Sequence, residues 1–153
     1  MNKKILALLI IGLIFLVLQF IPSGIPENNP VAGQGIFEVA QVPGDVQAIL
    51  EKACFDCHSQ QVTFPWYSYV APASWLVARD VNVGRANLDF GKWGELSKRK
   101  QLQLLDEIND EVSSGTMPMV IYTFMHSEAK LTQEERESIV NWAEQFAEQV
   151  LEN

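Results

Sequence analysis

The stretch ACFDCHSQQ, residues 53–61, decides how this chain is interpreted, because it holds both cysteines and one of the two histidines. Apolar residues ahead of it fall at positions i, i+3, i+4 and i+7, which predicts one buried face of a helix: Val46, Ile49, Leu50 and Ala53. Asp45 is the expected N-cap of this helix. The helix therefore runs directly into the cysteines.

Three chemistries compete for Cys54, Cys57 and His58. A disulfide would close a very short loop and stabilise a domain of this size little. A redox-active C-x-x-C motif usually lies at the start of a helix, whereas this one is expected at the end. A zinc site needs four ligands, and His126 would have to complete it, which would use every cysteine and histidine of the chain.

The third chemistry is covalent haem attachment, for which C-x-x-C-H is the signature. Residues three apart on a helical turn face the same side. The thiols of Cys54 and Cys57 can therefore add to the two vinyl groups on one porphyrin edge. His58 would then lie under the iron as its proximal ligand. We interpret the stretch as the site of one covalent haem c, with the disulfide and the zinc site as alternatives.

The second axial ligand of such a haem would come from the loop that follows residue 115. Met117 is favoured, because Pro118 keeps it in an extended conformation from which its thioether can project into a pocket. Met119 shares the same face of an extended segment. His126 is the other rival, and bis-histidine ligation would lower the reduction potential. Met125 is expected to pack in the core.

The N-terminus carries two lysines in Met1–Lys4 and then a long apolar run in Ile5–Phe20. This pattern predicts a membrane anchor or uncleaved signal over 1–22, because no convincing cleavage site follows. A proline- and glycine-rich linker is expected over 23–43 and the haem domain over 44–153. Lysines that precede an apolar segment stay in the cytoplasm. The chain is therefore expected to be anchored in the inner membrane, with its haem domain on the outer side of that membrane, in the periplasm or its equivalent.

Helical patterns dominate the rest of the chain, and no run alternates as a strand would. A short helix is expected over 74–81, followed by a turn-rich stretch. Ser97 begins the next helix, and Gly115 lies where it should end. The last helix opens with a capping box formed by Thr132 and Glu135. The apolar stripe of the helix that begins at Ser97 is Leu102, Leu105, Ile108 and Val112. That of the last helix is Ile139, Trp142, Ala143, Phe146 and Val150. The predicted fold class is all-α.

The charge of the chain bears on its partners. The 153 residues include 11 Lys and Arg against 19 Asp and Glu. Without the two N-terminal lysines, the remainder carries about −10. This balance argues against nucleic acid and against anionic lipid surfaces, and it permits steering toward redox proteins with a basic docking face.

Three stretches resemble the small membrane-anchored haem-binding domain proteins of the cytochrome c type. They are WYSYVAPASWLVARDVNVGRANLDF (66–90), SSGTMPMVIYTFMH (113–126) and AKLTQEERESIVNWAEQ (129–145). Members often have Met-Pro-Pro, whereas here Met119 follows Pro118. The resemblance implies a cytochrome c-like helical domain with a His/Met or related haem site. In such folds the first and last helices pack together, so Ile49 and Leu50 are expected near Trp142 and Phe146.

A porphyrin needs apolar walls, so several aromatic residues are candidates for both core and haem pocket: Trp66, Tyr67, Trp75 and Tyr122. Arg79 and Arg85 are candidates for pairing with haem propionates. Two protein ligands leave no open coordination position, so the expected role is a one-electron carrier and not an enzyme. The alternatives are a haem enzyme or sensor with a displaceable sixth ligand and a non-haem interaction module with a disulfide.

Overall fold

A computed structural model describes residues 2–152. This part of the chain contains helices and no strand, which confirms the expected all-α fold. The α-helices are Lys3–Leu18 (α1), Ile36–Val39 (α2), Gly44–Ala53 (α3), Phe55–His58 (α4), Ala73–Asn87 (α5), Lys98–Ser113 (α6), Val120–Met125 (α7) and Gln133–Glu152 (α8). Three 3₁₀ helices lie at Trp66–Tyr69, Phe90–Glu95 and Ser127–Ala129.

Helix α5 is longer than the predicted 74–81 and takes in part of the stretch expected to be turns. It continues to Asn87 because Val81 and Gly84 are buried against neighbouring elements. The expected N-cap of α3 is wrong: Pro43 occupies that position, and Asp45 lies in the first turn without a capping hydrogen bond. The loop after residue 115 is also partly helical, since it contains α7. The prediction that Met125 packs in the core is wrong: it ends α7, which buries no side chain, and 58% of its surface is exposed.

The core forms where α3 and α6 pack against α8. Ile49, Leu50 and Trp142 belong to one buried cluster, and Phe146 is partly buried against it. The expected contact between the first helix of the domain and the last is therefore confirmed. In α6 the buried stripe includes Leu104, while Leu102 is only partly buried.

The start of α8 confirms the predicted capping box. The hydroxyl of Thr132 accepts a hydrogen bond from the Glu135 amide at 3.2 Å. The Glu135 carboxylate accepts one from the Thr132 amide at 2.9 Å. The same carboxylate pairs with the ammonium group of Lys52 on α3. This ion pair joins the first and last helices of the domain.

We expect Glu135→Gln to lower the free energy of unfolding at pH 7 by about 0.5 kcal/mol. Lys52 and the Thr132 amide lower the pKa of Glu135 below its ordinary value of 4.5. A carboxyl group whose pKa is lowered by folding stabilises the fold above its unfolded pKa, and this contribution is lost as pH falls through the folded pKa. Urea unfolding should therefore separate the two proteins at pH 7, and the difference should disappear once the pH is below the folded pKa of Glu135. Lys52→Met in both backgrounds completes a double-mutant cycle, and a coupling energy of zero at pH 7 would contradict the assignment.

Much of the segment predicted as a flexible linker packs on the helices. Ile36 is only 1% exposed and joins the core. The Asn28 side chain donates to the Val62 carbonyl at 2.8 Å and accepts from the Val62 amide at 3.2 Å. The amide of Gly94 donates to the carbonyl of Gln34 at 2.9 Å. The domain limits of 1–22, 23–43 and 44–153 stay predictions, but the middle segment is held in place by the domain.

Helix α1 has 16 residues, and its apolar side chains are exposed. Among residues 2–152, no helix combines the length and the apolar character that crossing a membrane requires.

Candidate functional site

The two cysteines lie at a junction between helices. Cys54 (φ −125°, ψ −38°) interrupts the helical backbone between α3 and α4. Its carbonyl then accepts hydrogen bonds from the amides of Cys57 and His58, at 3.1 and 2.9 Å, which close the single turn of α4. The motif therefore occupies one separate helical turn, with the three candidate side chains on it or at its start. The prediction that the cysteines lie at the end of a helix is only partly right, because Cys54 ends α3 and also precedes α4.

Both thiols are free, and their surroundings disfavour thiolates. Burial, with a smaller effect of Cys57, raises the pKa of Cys54 to about 12. Burial raises the pKa of Cys57 to about 11, and Asp56 and Asp80 add to the effect. Redox-active C-x-x-C pairs have a lowered thiol pKa. This electrostatic environment therefore does not favour dithiol–disulfide chemistry.

The orientation of His58 is set by two backbone carbonyls. Its Nδ1 lies 3.1 Å from the Gly84 carbonyl oxygen and 3.0 Å from that of Leu88. Because both partners only accept, Nδ1 carries the proton, and the lone pair belongs to Nε2. Burial lowers the pKa of His58, although the two hydrogen bonds oppose the shift. A neutral imidazole oriented through its other nitrogen is the usual form of a metal-ligating histidine.

Helix α5 supplies these carbonyls because Gly84 lets it approach α4 closely. A Cβ atom at Gly84 would lie 2.5 Å from the carbonyl oxygen of Cys57. Leu88 follows the end of α5, so its carbonyl is free to accept from His58. Sequence reasoning missed both residues. The available signal was a glycine inside a helical pattern, which often marks a close backbone approach.

The motif opens onto a cavity of about 510 Å³. Cys54, Cys57, His58 and Met117 all line it, so the structure brings together the predicted attachment and axial residues. The apolar part of the lining comes mainly from α5, α6 and α8 and the residue after α5. It consists of Val83, Leu88, Leu104, Ile108, Val112 and Ile139. Its volume is within the range of about 300–1,000 Å³ typical of cofactor sites. Most of the lining is apolar, although Arg79, Asp80, Glu107 and Glu111 also contribute to it. A largely apolar cavity with a neutral imidazole fits a haem.

The backbone around Met117 is fixed from two sides. Its amide donates to the Glu111 carbonyl at 3.1 Å. Its carbonyl accepts from Nη1 of Arg136 at 3.2 Å, and the same nitrogen donates to the Val112 carbonyl at 3.0 Å. Arg136 on α8 thus joins the end of α6 to the methionine loop, a contact that sequence reasoning missed.

Comparison with known proteins agrees with this geometry. Residues 13–145 match the family model described as the haem-binding domain. The chain belongs to this haem-binding domain family. It is also 30% identical over 135 residues to the cytochrome c peroxidase Ccp of Escherichia coli (strain K12). That alignment covers 86% of this chain and 26% of the peroxidase, so the chain spans about a quarter of that relative's length. No solved structure matches it.

His126, the rival ligand, lies in a second cavity of about 370 Å³ and not in the one that contains His58. Its Nδ1 donates to the carboxylate of Glu128 at 3.2 Å. Its Nε2 forms a hydrogen bond with the hydroxyl of Tyr67, at 2.5 Å. The ring of Tyr122 stacks on that of His126, with centroids 4.5 Å apart. Both ring nitrogens of His126 are thus already engaged.

Tyr122 connects the two cavities of this haem-binding domain. It lines both of them, together with Cys57, Asp80 and Met119. Its hydroxyl donates to the carboxylate of Asp56 at 2.8 Å. Helix α7 is thereby joined to the C-x-x-C-H turn.

The other predicted pocket residues are spread over the domain. Tyr67 lines the second cavity, whereas Trp66 and Trp75 line neither, and Trp66 is 76% exposed. Arg79 lines the cavity that contains His58, but its guanidinium pairs with the adjacent Asp80 at 3.0 Å. Their roles toward haem stay predictions.

Arg85 forms hydrogen bonds to the segments on either side of the motif. Its Nε donates to the Ser59 carbonyl at 2.8 Å, directly after the motif. Its terminal nitrogens donate to the Glu27 carbonyl and the Asn28 side chain, at 2.9 and 2.7 Å. Arg85 therefore ties the segment 23–43 to α5.

The zinc alternative has no ligand set in the part of the chain that the structure describes. No three His, Cys, Asp or Glu side chains of residues 2–152 form a group that could hold a metal ion.

Proposed function

We propose that the chain is a mono-haem c-type cytochrome that carries single electrons. Cys54 and Cys57 would hold the haem through thioether bonds, His58 would be its proximal ligand and Met117 its distal ligand. The observation that carries this proposal is that all four side chains line one cavity. Membership of the haem-binding domain family supports the cofactor.

The chain's own residues would prepare this site before haem arrives. The carbonyls of Gly84 and Leu88 hold the Nδ1 proton of His58, so Nε2 is available to a metal. Arg136 holds the carbonyl of Met117, which fixes the backbone from which the thioether extends. When bound, the haem would supply reversible one-electron chemistry. Axial ligation by His and Met, with an apolar wall, would raise its reduction potential.

The electron-carrier role follows from ligation by two protein side chains, which would leave no position for a substrate. We place the domain outside the cytoplasmic membrane, associated with the membrane through its N-terminal apolar helix. Its partners would be redox proteins with a basic docking face, because the chain has a formal net charge of −8. Electrostatic attraction of this kind accelerates encounter and weakens with salt.

Visible spectra of the purified chain test the proposal. We expect covalent haem to remain after acid–acetone extraction and the reduced protein to show sharp low-spin α and β bands. The oxidised protein should show the weak long-wavelength band of a Met–iron bond. Haem that is fully extracted by acid–acetone would overturn covalent attachment, and a high-spin spectrum would overturn the six-coordinate carrier.

A second candidate is a haem enzyme or sensor with a displaceable sixth ligand, of which a peroxidase is the case that similarity to the E. coli cytochrome c peroxidase favours. The observation in its favour is the imidazole of His126 in the neighbouring cavity, where Tyr67 and Glu128 hold it. It would predict a reduced protein that binds carbon monoxide readily, and peroxide turnover that falls in His126→Ala. A carrier with a firm Met117 ligand would show neither.

A further inference from the structure

An apolar patch surrounds α7 on the outside of the domain. Helix α7 contains no charged residue and buries no side chain. The patch consists of seven residues that are 38–84% exposed: Trp66, Tyr69, Leu76, Val120, Ile121, Phe124 and Met125. Four of them also line the second cavity, namely Leu76, Ile121, Phe124 and Met125, so they lie together at its opening. We call this set the α7 patch.

The α7 patch adjoins the end of α1. The side chain of Gln19, directly after α1, accepts from the Ala71 amide at 2.9 Å and donates to the Ala71 carbonyl at 3.2 Å. Trp75 donates to the carbonyl of Ile21 at 3.5 Å. Ala71 is two residues after Tyr69, and Leu76 follows Trp75 directly. The apolar helix and the α7 patch are therefore neighbouring parts of one surface.

The distribution of exposed apolar side chains on this surface indicates what covers it. Apolar side chains of α1 are exposed all around the helix, including Leu8, Leu9, Ile11, Leu13 and Phe15, which are 48–68% exposed. A protein partner that docks on one face would leave the others in water, whereas lipid can surround a helix that enters a bilayer without crossing it. The patch contains Trp66 and Tyr69, and exposed tryptophan and tyrosine are typical of the boundary between lipid and water. The formal net charge of −8 favours zwitterionic over anionic headgroups.

We propose that the α7 patch is a docking surface for a zwitterionic lipid bilayer. With α1 in lipid, the hydrogen bonds of Gln19 would bring Trp66, Tyr69 and Phe124 to the level of the headgroups. The second cavity would then open toward the membrane. The inference rests on the proposed membrane association of α1, on the exposure of the patch and on the Gln19 contacts, and it does not depend on haem ligation.

Spin labels on introduced cysteines test the proposal in the full-length, haem-loaded chain reconstituted in phosphatidylcholine vesicles. Phe124→Cys and Tyr69→Cys place a nitroxide in the α7 patch. Leu151→Cys is the matched control, because Leu151 is an exposed apolar residue, 71% accessible, at the end of α8. The chain without an introduced cysteine measures any labelling of Cys54 and Cys57. Labelling there would count against the thioether proposal and leave the docking test intact.

We expect the labels at 69 and 124 to lose access to a water-soluble nickel chelate in vesicles and to retain access to oxygen, while the label at 151 stays open to the chelate. Labels at 69 and 124 as accessible to the chelate as the one at 151 would overturn the proposal. Exclusion of both reagents would also overturn it, since that indicates cover by protein. Dipolar broadening at 124 that persists as the lipid-to-protein ratio rises would identify a second copy of the chain as the occupant instead.

Discussion

Gly84→Ala is expected to destabilise the domain by about 1–3 kcal/mol and to reduce haem incorporation severely. The added Cβ would lie 2.5 Å from the carbonyl oxygen of Cys57 and 3.2 Å from its Cβ. Both atoms belong to α4, the turn that carries the C-x-x-C-H motif, and neither is the end of a flexible side chain. Helix α5 would therefore have to move away from α4, and the Gly84 and Leu88 carbonyls that orient His58 would move with it.

The expected loss of stability in Gly84→Ala is opposite in sign to the usual effect of this substitution in a helix. Replacing glycine by alanine inside a helix ordinarily stabilises it by about 1 kcal/mol. Gly44→Ala at the start of α3 is the matched control, because a Cβ there would meet nothing within 4 Å. Urea unfolding and the haem content per chain are the measurements. If Gly84→Ala were as stable as Gly44→Ala and took up haem fully, the packing of α5 on the motif would not be what positions His58.

Local patterns allowed the motif, the order of the main helices and the core stripes to be predicted from the sequence. Thr132 and Glu135 are only three residues apart, so their capping box is a property of one short segment. The pairing of α3 with α8 followed from the family resemblance and from the apolar faces of Leu50 and Trp142. Such features depend on spacing, which a sequence displays directly.

The features that sequence reasoning missed depend on contacts between distant segments. The carbonyls that hold His58 lie 26 and 30 residues away, and any residue type has a carbonyl. Arg136 reads as a surface cation of α8 until the structure brings its guanidinium to the Met117 loop. Asn28 belongs to a proline-rich stretch whose composition indicates flexibility, yet its side chain forms a paired set of hydrogen bonds with Val62. Composition alone does not reveal such pairing.

Met117→Ala is expected to abolish the Met–iron signature and leave the haem covalently attached. Loss of the Met117 sulfur would open one axial position of the iron. The reduced protein should therefore bind carbon monoxide, and its reduction potential should fall. Absorption spectra, carbon monoxide titration and potentiometry measure the three effects. The proposed attachment residues Cys54 and Cys57 are unchanged, so haem content should match the parent protein.

Met119→Ala is the matched control for this experiment, because Met119 lines the same cavity from the same loop. Its carbonyl accepts from the amides of Tyr122 and Thr123 at 3.0 Å, and alanine retains both hydrogen bonds. We therefore expect Met119→Ala to keep the spectrum of the parent protein. A Met–iron band that disappears in Met119→Ala and persists in Met117→Ala would assign the ligand to Met119. A low-spin spectrum that persists in both and is lost only in His126→Ala would mean that haem binding draws His126 away from Tyr67 and Glu128.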